Sequence, residues 1–109
     1  MARIVFASSA HADSAAILTD LLAMAGRLTA MKFDRRFEEL FDRLVEFPDS
    51  GALRPAVGRD IRVGIVAPYV VIFRYLAVDD TVTVMRIVHG RRKISGKLLS
   101  GSVGSRAEP

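Results

Sequence analysis

The sequence predicts an α+β domain of order β-α-α-β-β-β, a helical hairpin packed on one face of a small antiparallel sheet. Three observations predict it. Apolar residues from Leu18 to Leu44 recur at three- and four-residue spacing, the period of a helix. Residues 61–88 hold three β-branched and aromatic runs, the composition of strands. The turns between those runs, at Ala67-Pro68 and Asp79-Asp80, are short enough to require antiparallel neighbours. The sheet face away from the hairpin is expected to be partly open.

The 109 residues make one domain, and half of them are hydrophobic, enough to bury a core without metals or disulfides. The chain has no cysteine, which excludes disulfides and cysteine-ligated zinc and fits a reducing compartment. The N-terminal MARIVFASSAH holds too short an apolar run for a signal-peptide core. No run approaches the roughly 18 apolar residues of a membrane span. A soluble, cytoplasmic protein with no membrane association is therefore expected.

The net charge is +4, and it is unevenly spread. Residues 1–53 hold six Lys/Arg and eight Asp/Glu, a balance of −2; residues 54–109 hold ten and four, a balance of +6. Such asymmetry favours an acidic partner, either nucleic acid or an acidic protein segment.

Ile4-Val5-Phe6 centres a short strand within Arg3 to Ala7. Ser8 and Ser9 offer hydroxyls to a helix start, and Asp13 complements the dipole of the first turn. The first helix is predicted over Ser9–Ala25, with Leu18, Leu21, Leu22, Ala25 and Leu28 as its buried stripe. His11 lies in its first turn as a surface residue. Gly26 is the stop, because glycine adopts conformations that end helices, and Thr29 is the next cap. The second helix runs to Glu46, burying Phe33, Phe37, Leu40, Phe41 and Leu44. Phe47-Pro48-Asp49-Ser50-Gly51 breaks it, and Ala52 to Asp60 reads as a polar loop. Strands come next at Ile61–Val66, Tyr69–Ala77 and Thr81–Val88. The domain ends near residue 95, and 96–109 reads as a flexible Gly/Ser-rich tail.

The last strand leads into His89-Gly90-Arg91-Arg92-Lys93, delivering a histidine and three consecutive cations to one edge of the sheet. Whether Arg62, Arg74 and Arg86 share a face is open, because a slip of one residue inverts a side chain. Arg86 is either part of the working surface or satisfied within the sheet. The sequence contains no phosphate loop, dinucleotide fingerprint or metal-ligand cluster, and no cofactor or metal is expected. Cleavage of RNA by its 2′-hydroxyl requires a base, an acid and cations around the phosphate. His89, Arg91 and Arg92 supply part of that set, but no second acid/base group stands near them in sequence.

Three stretches, FPDSGALRPAVGRDIRV, PYVVIFRYL and VMRIVHGRRKI, resemble in order and spacing the RelE/ParE superfamily of bacterial toxins, and within it the ParE, or plasmid-stabilisation, branch. The resemblance spans roughly residues 2–95. It rests on Phe47-Pro48, Gly51, Arg54-Pro55, Arg62, Tyr69, and Arg86 with His89, Gly90 and Arg92. The RelE-like branch is similar to ribosome-dependent mRNA endonucleases, whose active-site arginines and C-terminal aromatic would fall near Val70, Arg92 and Leu98. Of these only Arg92 matches in kind. The ParE-like branch implies a protein that poisons DNA gyrase and has no established catalytic set. Both imply a cognate antitoxin whose acidic, amphipathic C-terminal segment wraps the toxin in a hetero-oligomer. The resemblance therefore implies a gyrase-inhibiting toxin that is not an enzyme, with an mRNA endonuclease using His89 and Arg92 as the alternative. The expected target-binding residues are Arg62, Arg86, His89, Arg91, Arg92 and Lys93.

Overall fold

A computed structural model describes residues 1–92, 94–96, 98 and 99. Strand β1 (Arg3–Phe6) leads into helices α1 (Ser8–Ala25) and α2 (Arg27–Glu46). Four strands complete the chain: β2 (Ala52–Leu53), β3 (Ile61–Val66), β4 (Tyr69–Leu76) and β5 (Thr81–His89). The sheet order is β1-β5-β4-β3-β2, with β1 parallel to β5 and every other pairing antiparallel. This is the expected β-α-α-β-β-β arrangement with one addition. Within the segment read as a loop, Ala52 and Leu53 pair with Val63 and Arg62 as a two-residue edge strand.

The helical hairpin covers one face of the sheet. Phe37, Leu40 and Leu44 of α2 are buried against Val66, Val71, Phe73, Val82, Val84 and Ile87. Leu40 packs directly on Gly64, where a Cβ would lie 3.0 Å from its methyl carbon. The stripe predicted for α1 is buried only in part. Ala10 is the fully buried residue of α1, and Ile17 packs on the core from its rim. Leu22 is 53% and Leu28 79% exposed. The reason lies in composition: α1 is apolar on most of its surface, so its spacing does not single out one face. The distal end of the hairpin therefore presents Leu22, Met24, Leu28 and Met31 to solvent.

The opposite face, expected to be partly open, has a core of its own. Val57, Ile61, Val63, Val70, Ile72, Met85, Val88 and Leu99 form a second buried cluster, with Ile94 and Leu98 against it. The loop before β3 and the chain after β5 thus close over this face. Past the expected domain end, Leu98 and Leu99 are described and Leu99 is buried; residues 101–109 of the expected tail lie outside the described residues.

The caps differ from those predicted. Ala7 precedes α1 without a side-chain cap, and Ser9 turns its hydroxyl to the sheet instead. Asp13 lies beyond the first turn and also faces the sheet. Gly26 ends α1 and begins α2, displacing the cap expected at Thr29. Its φ of 93° and ψ of 169° belong to a region almost reserved for glycine. Gly51 is required for a different reason: a Cβ there would sit 2.7 Å from the Phe73 ring and from the Val63 carbonyl oxygen.

Two substitutions test these constraints. Gly26→Ala is expected to cost about 1–3 kcal/mol through backbone strain, and Gly51→Ala about 1–3 kcal/mol through overpacking. Urea unfolding reads both as a lower midpoint at unchanged slope. An unchanged midpoint contradicts the assignment for that glycine.

Candidate functional site

β1 is short. It pairs Arg3–Phe6 with Thr81–Val84, and the last ladder bond runs from the Ala7 N–H to the Val84 carbonyl at 2.9 Å. From Met85 onward no strand among the described residues lies beside β5 on that side, and α1 takes over with side chains. Ser9 Oγ donates to the Met85 carbonyl at 2.9 Å. One turn on, Asp13 Oδ2 accepts the Ile87 N–H at 2.9 Å. The same carboxylate receives Arg86 in a fork, Nε to Oδ2 at 2.7 Å and Nη2 to Oδ1 at 3.0 Å. Both side chains are 16% exposed. The hydrogen bond that Arg86 donates to Asp13 raises the Arg86 pKa above the ordinary arginine value, outweighing the opposing effect of burial. Arg86 is thereby satisfied within the fold.

β5 also carries a bulge. Ile72 pairs with Arg86 but Phe73 with Val84, so Met85 is an extra residue. A bulge bends its strand and re-aims the residues beyond it. Here those residues lead to His89, paired with Tyr69 at the start of β4. The His89 and Tyr69 rings meet edge to face at 5.9 Å, and Tyr69 in turn meets Phe33 of α2 at 5.7 Å. The turn after β5 is held by Gly90 N–H donating to the Pro68 carbonyl at 2.7 Å and Arg92 N–H to the His89 carbonyl at 2.9 Å. The Arg91 N–H donates to His89 Nδ1 at 3.1 Å. A neutral His89 therefore carries its proton on Nε2, where it donates but does not accept. Arg91 and Arg92 are exposed beside it. The edge is a donor-rich, cationic surface suited to an anionic partner.

The other expected site residues are placed elsewhere. Arg62 pairs with Phe73, four residues along β3 from Val66, the residue opposite Tyr69. That is about 13 Å along the strand and two strands across from His89. Its Nη1 donates to the Asp49 and Gly51 carbonyls at 2.9 and 2.7 Å, bracing the loop after α2. Arg74 is next to Phe73 in β4 and so lies on the opposite face from Arg62. The structure brings His89, Arg91 and Arg92 together and leaves Arg62 and Arg86 apart, each with its own partners. Lys93 lies outside the described residues. Tyr69 and Asp13 have no site role in the sequence reading. Tyr69 needed the strand register, and Asp13 looks like an ordinary helix-start carboxylate. Val70, where a nuclease arginine would fall, is 8% exposed in the second cluster, and Leu98 packs against that cluster.

A groove of about 310 Å³ runs between the distal ends of α1 and α2, lined by Leu18, Leu22 and Met31, with Arg27 and Asp34 on its walls. A second, of about 650 Å³, lies between α2 and the edge of β3, between Leu40, Leu44 and Ile65, with Arg43 and Arg54 flanking it. β2 covers only the start of that edge. The Arg54 N–H donates to the Ile61 carbonyl on this side, so by alternation Ile65 also turns its N–H and carbonyl outward.

Residues 4–94 match the model of the ParE toxin of the type II toxin-antitoxin system parDE. The chain belongs to the ParE toxin family. It is also 36% identical over 92 residues to the toxin RelE2 of Caulobacter vibrioides, covering 84% of this chain and 99% of that protein. Among solved structures, the chromosomal ParDE system of P. aeruginosa superimposes with a TM-score of 0.68 at 23% identity, over 82% of this chain and 96% of that one. The RelBE2 toxin-antitoxin complex of Mycobacterium tuberculosis gives 0.55 at 19% identity, over 81% and 96%. The protein is a toxin of a type II toxin-antitoxin system in the RelE/ParE superfamily. Among the described residues no helix is long and apolar enough to cross a membrane.

Stability separates the structural cation from the surface ones. Asp13→Ala is expected to cost about 1–3 kcal/mol, because it strands the Ile87 N–H and the Arg86 guanidinium. His89→Ala and Arg92→Ala are expected to stay within about 0.5 kcal/mol of the parent. Urea midpoints check both, and equal losses at all three positions would contradict the division.

Proposed function

We propose that the toxin acts by binding, inhibiting DNA gyrase through the edge formed by His89, Arg91 and Arg92, in the bacterial cytoplasm. The observation that carries this reading is the state of the face where a nuclease site would lie. Val70 and Leu98 there join an apolar cluster, and neither can hold a phosphate or transfer a proton. His89 gives further support, since its Nδ1 is engaged by the Arg91 N–H and its other nitrogen is left as a donor rather than a base. Match to the ParE family favours the same branch.

A cognate antitoxin silences the toxin in this reading. The two grooves supply what an acidic, amphipathic segment needs: apolar floors in both and, in the larger, basic flanks at Arg43 and Arg54 with an outward-facing strand edge at Ile65. Charge complementarity would chiefly hasten and orient the encounter. Both solved relatives are named as toxin-antitoxin systems, which supports a partner of this kind.

A second reading, ribosome-dependent mRNA cleavage with His89 and Arg92, is favoured by the RelE2 name of the Caulobacter relative. The two readings part in one assay. Purified toxin is expected to inhibit plasmid supercoiling by gyrase in the presence of ATP, and the Arg91→Ala/Arg92→Ala double variant to weaken that inhibition by about tenfold or more, as loss of two charge-assisted contacts implies. Unchanged supercoiling with folded toxin overturns the gyrase reading.

A further inference from the structure

We propose that Asp13 is a positioning residue for the His89 edge, standing in for the strand that β5 lacks. The proposal rests on the reading of that edge as the working surface. Among the described residues, β5 has no β-ladder on this side beyond Val84, because β1 stops at Phe6. A strand that loses its neighbour is free to fray, and fraying is largest near strand ends. The stretch at risk, Met85 to His89, is the one that aims the edge.

Two α1 side chains one turn apart, Ser9 and Asp13, reproduce the pattern of a missing strand. They supply a donor for the Met85 carbonyl and an acceptor for the Ile87 N–H, the next two groups due on that side. Asp13 does more than accept one bond. By receiving Arg86 in a fork it fixes the residue after the bulge, where the backbone would otherwise have the most freedom. From Ile87 the strand has only two residues to go before the Gly90 turn, and that turn is held on its other side by Pro68. His89 is thus set by two anchors: the Asp13 carboxylate on the α1 side, and the Tyr69 ring with the Pro68 carbonyl on the β4 side.

Asp13 touches nothing that a target would touch; it acts through Arg86 and Ile87. Its removal is expected to loosen the edge first, since Phe37, Leu40 and Leu44 pack on Val66, Val71 and Phe73 as well as on Ile87.

The test uses the full-length toxin as Asp13→Asn, which keeps the shape but not the charge, and as Arg86→Lys, which keeps the charge but not the fork. Gly51→Ala, a destabilising change at the far edge of the sheet, serves as the control matched for thermal midpoint. In Asp13→Asn the Ile87 amide is expected to exchange with solvent about tenfold faster, and the His89 imidazole nitrogen resonances to move. The Leu40 amide is expected to quicken no more than it does in Gly51→Ala, the control of equal stability. Growth inhibition on induction is expected to fall by about tenfold in Asp13→Asn, less in Arg86→Lys, and not in Gly51→Ala. Unaltered Ile87 exchange and His89 resonances in both variants overturn the proposal whatever the target. Equal losses of toxicity in Asp13→Asn and Gly51→Ala overturn it too, because the effect would then be stability alone. Displaced His89 resonances with full toxicity would uphold the positioning and overturn the edge as the working surface.

Discussion

One carboxylate ties the helical layer to the strand on which the toxin's surface depends. Asp13 accepts an N–H from β5 and both ends of an arginine fork, and it does so from the second turn of α1. Burial of a charge is costly unless it is paired and hydrogen-bonded. Here the pairing is complete, and the helix is held against β5 at the place where β1 runs out. The sheet order obeys the same constraint. β5 must lie between β1 and β4 so that its first half is paired on both sides and its second half meets α1. The two faces then fill separately, one beneath α2 and one beneath the 54–60 loop and the segment after β5.

That division explains how the fold supports its surface. The α2 face is an apolar layer that includes Ile87, the residue whose N–H Asp13 accepts. The second face is covered in part by Val57, Ile94, Leu98 and Leu99, while Val5 and Ile65 on it stay exposed. The rim stays available: His89, Arg91 and Arg92 at the end of β5, and the grooves beside α1 and α2. In the proposed reading, this rim of donors and cations beside apolar grooves serves protein partners: an antitoxin that wraps the toxin and a target met by contact.

Most of the fold is legible from spacing. α2 shows its buried face through Phe37, Leu40 and Leu44, and β3 to β5 fall within a residue of their expected bounds. α1 is harder to read, because a helix apolar on most sides gives no phase, and three of the five residues of its expected stripe are exposed. Asp13 and Ser9 read as capping residues because local signals at a helix start look alike whether the side chain turns to its own backbone or to a strand more than seventy residues away. The candidate site is legible where its residues are contiguous, at His89, Arg91 and Arg92. It is not legible where it depends on register: the bulge at Met85, the pairing of Tyr69 with His89, and the placing of Arg62 and Arg74 on opposite faces.

An edge that binds rather than cuts leaves messenger RNA whole. The decisive measurement is therefore the fate of a message on translating ribosomes incubated with purified toxin, mapped by primer extension. Full-length message is expected at every toxin concentration that arrests growth. Discrete codon-phased breaks that vanish in His89→Ala would contradict binding as the mode of action, and would make His89 a catalytic group.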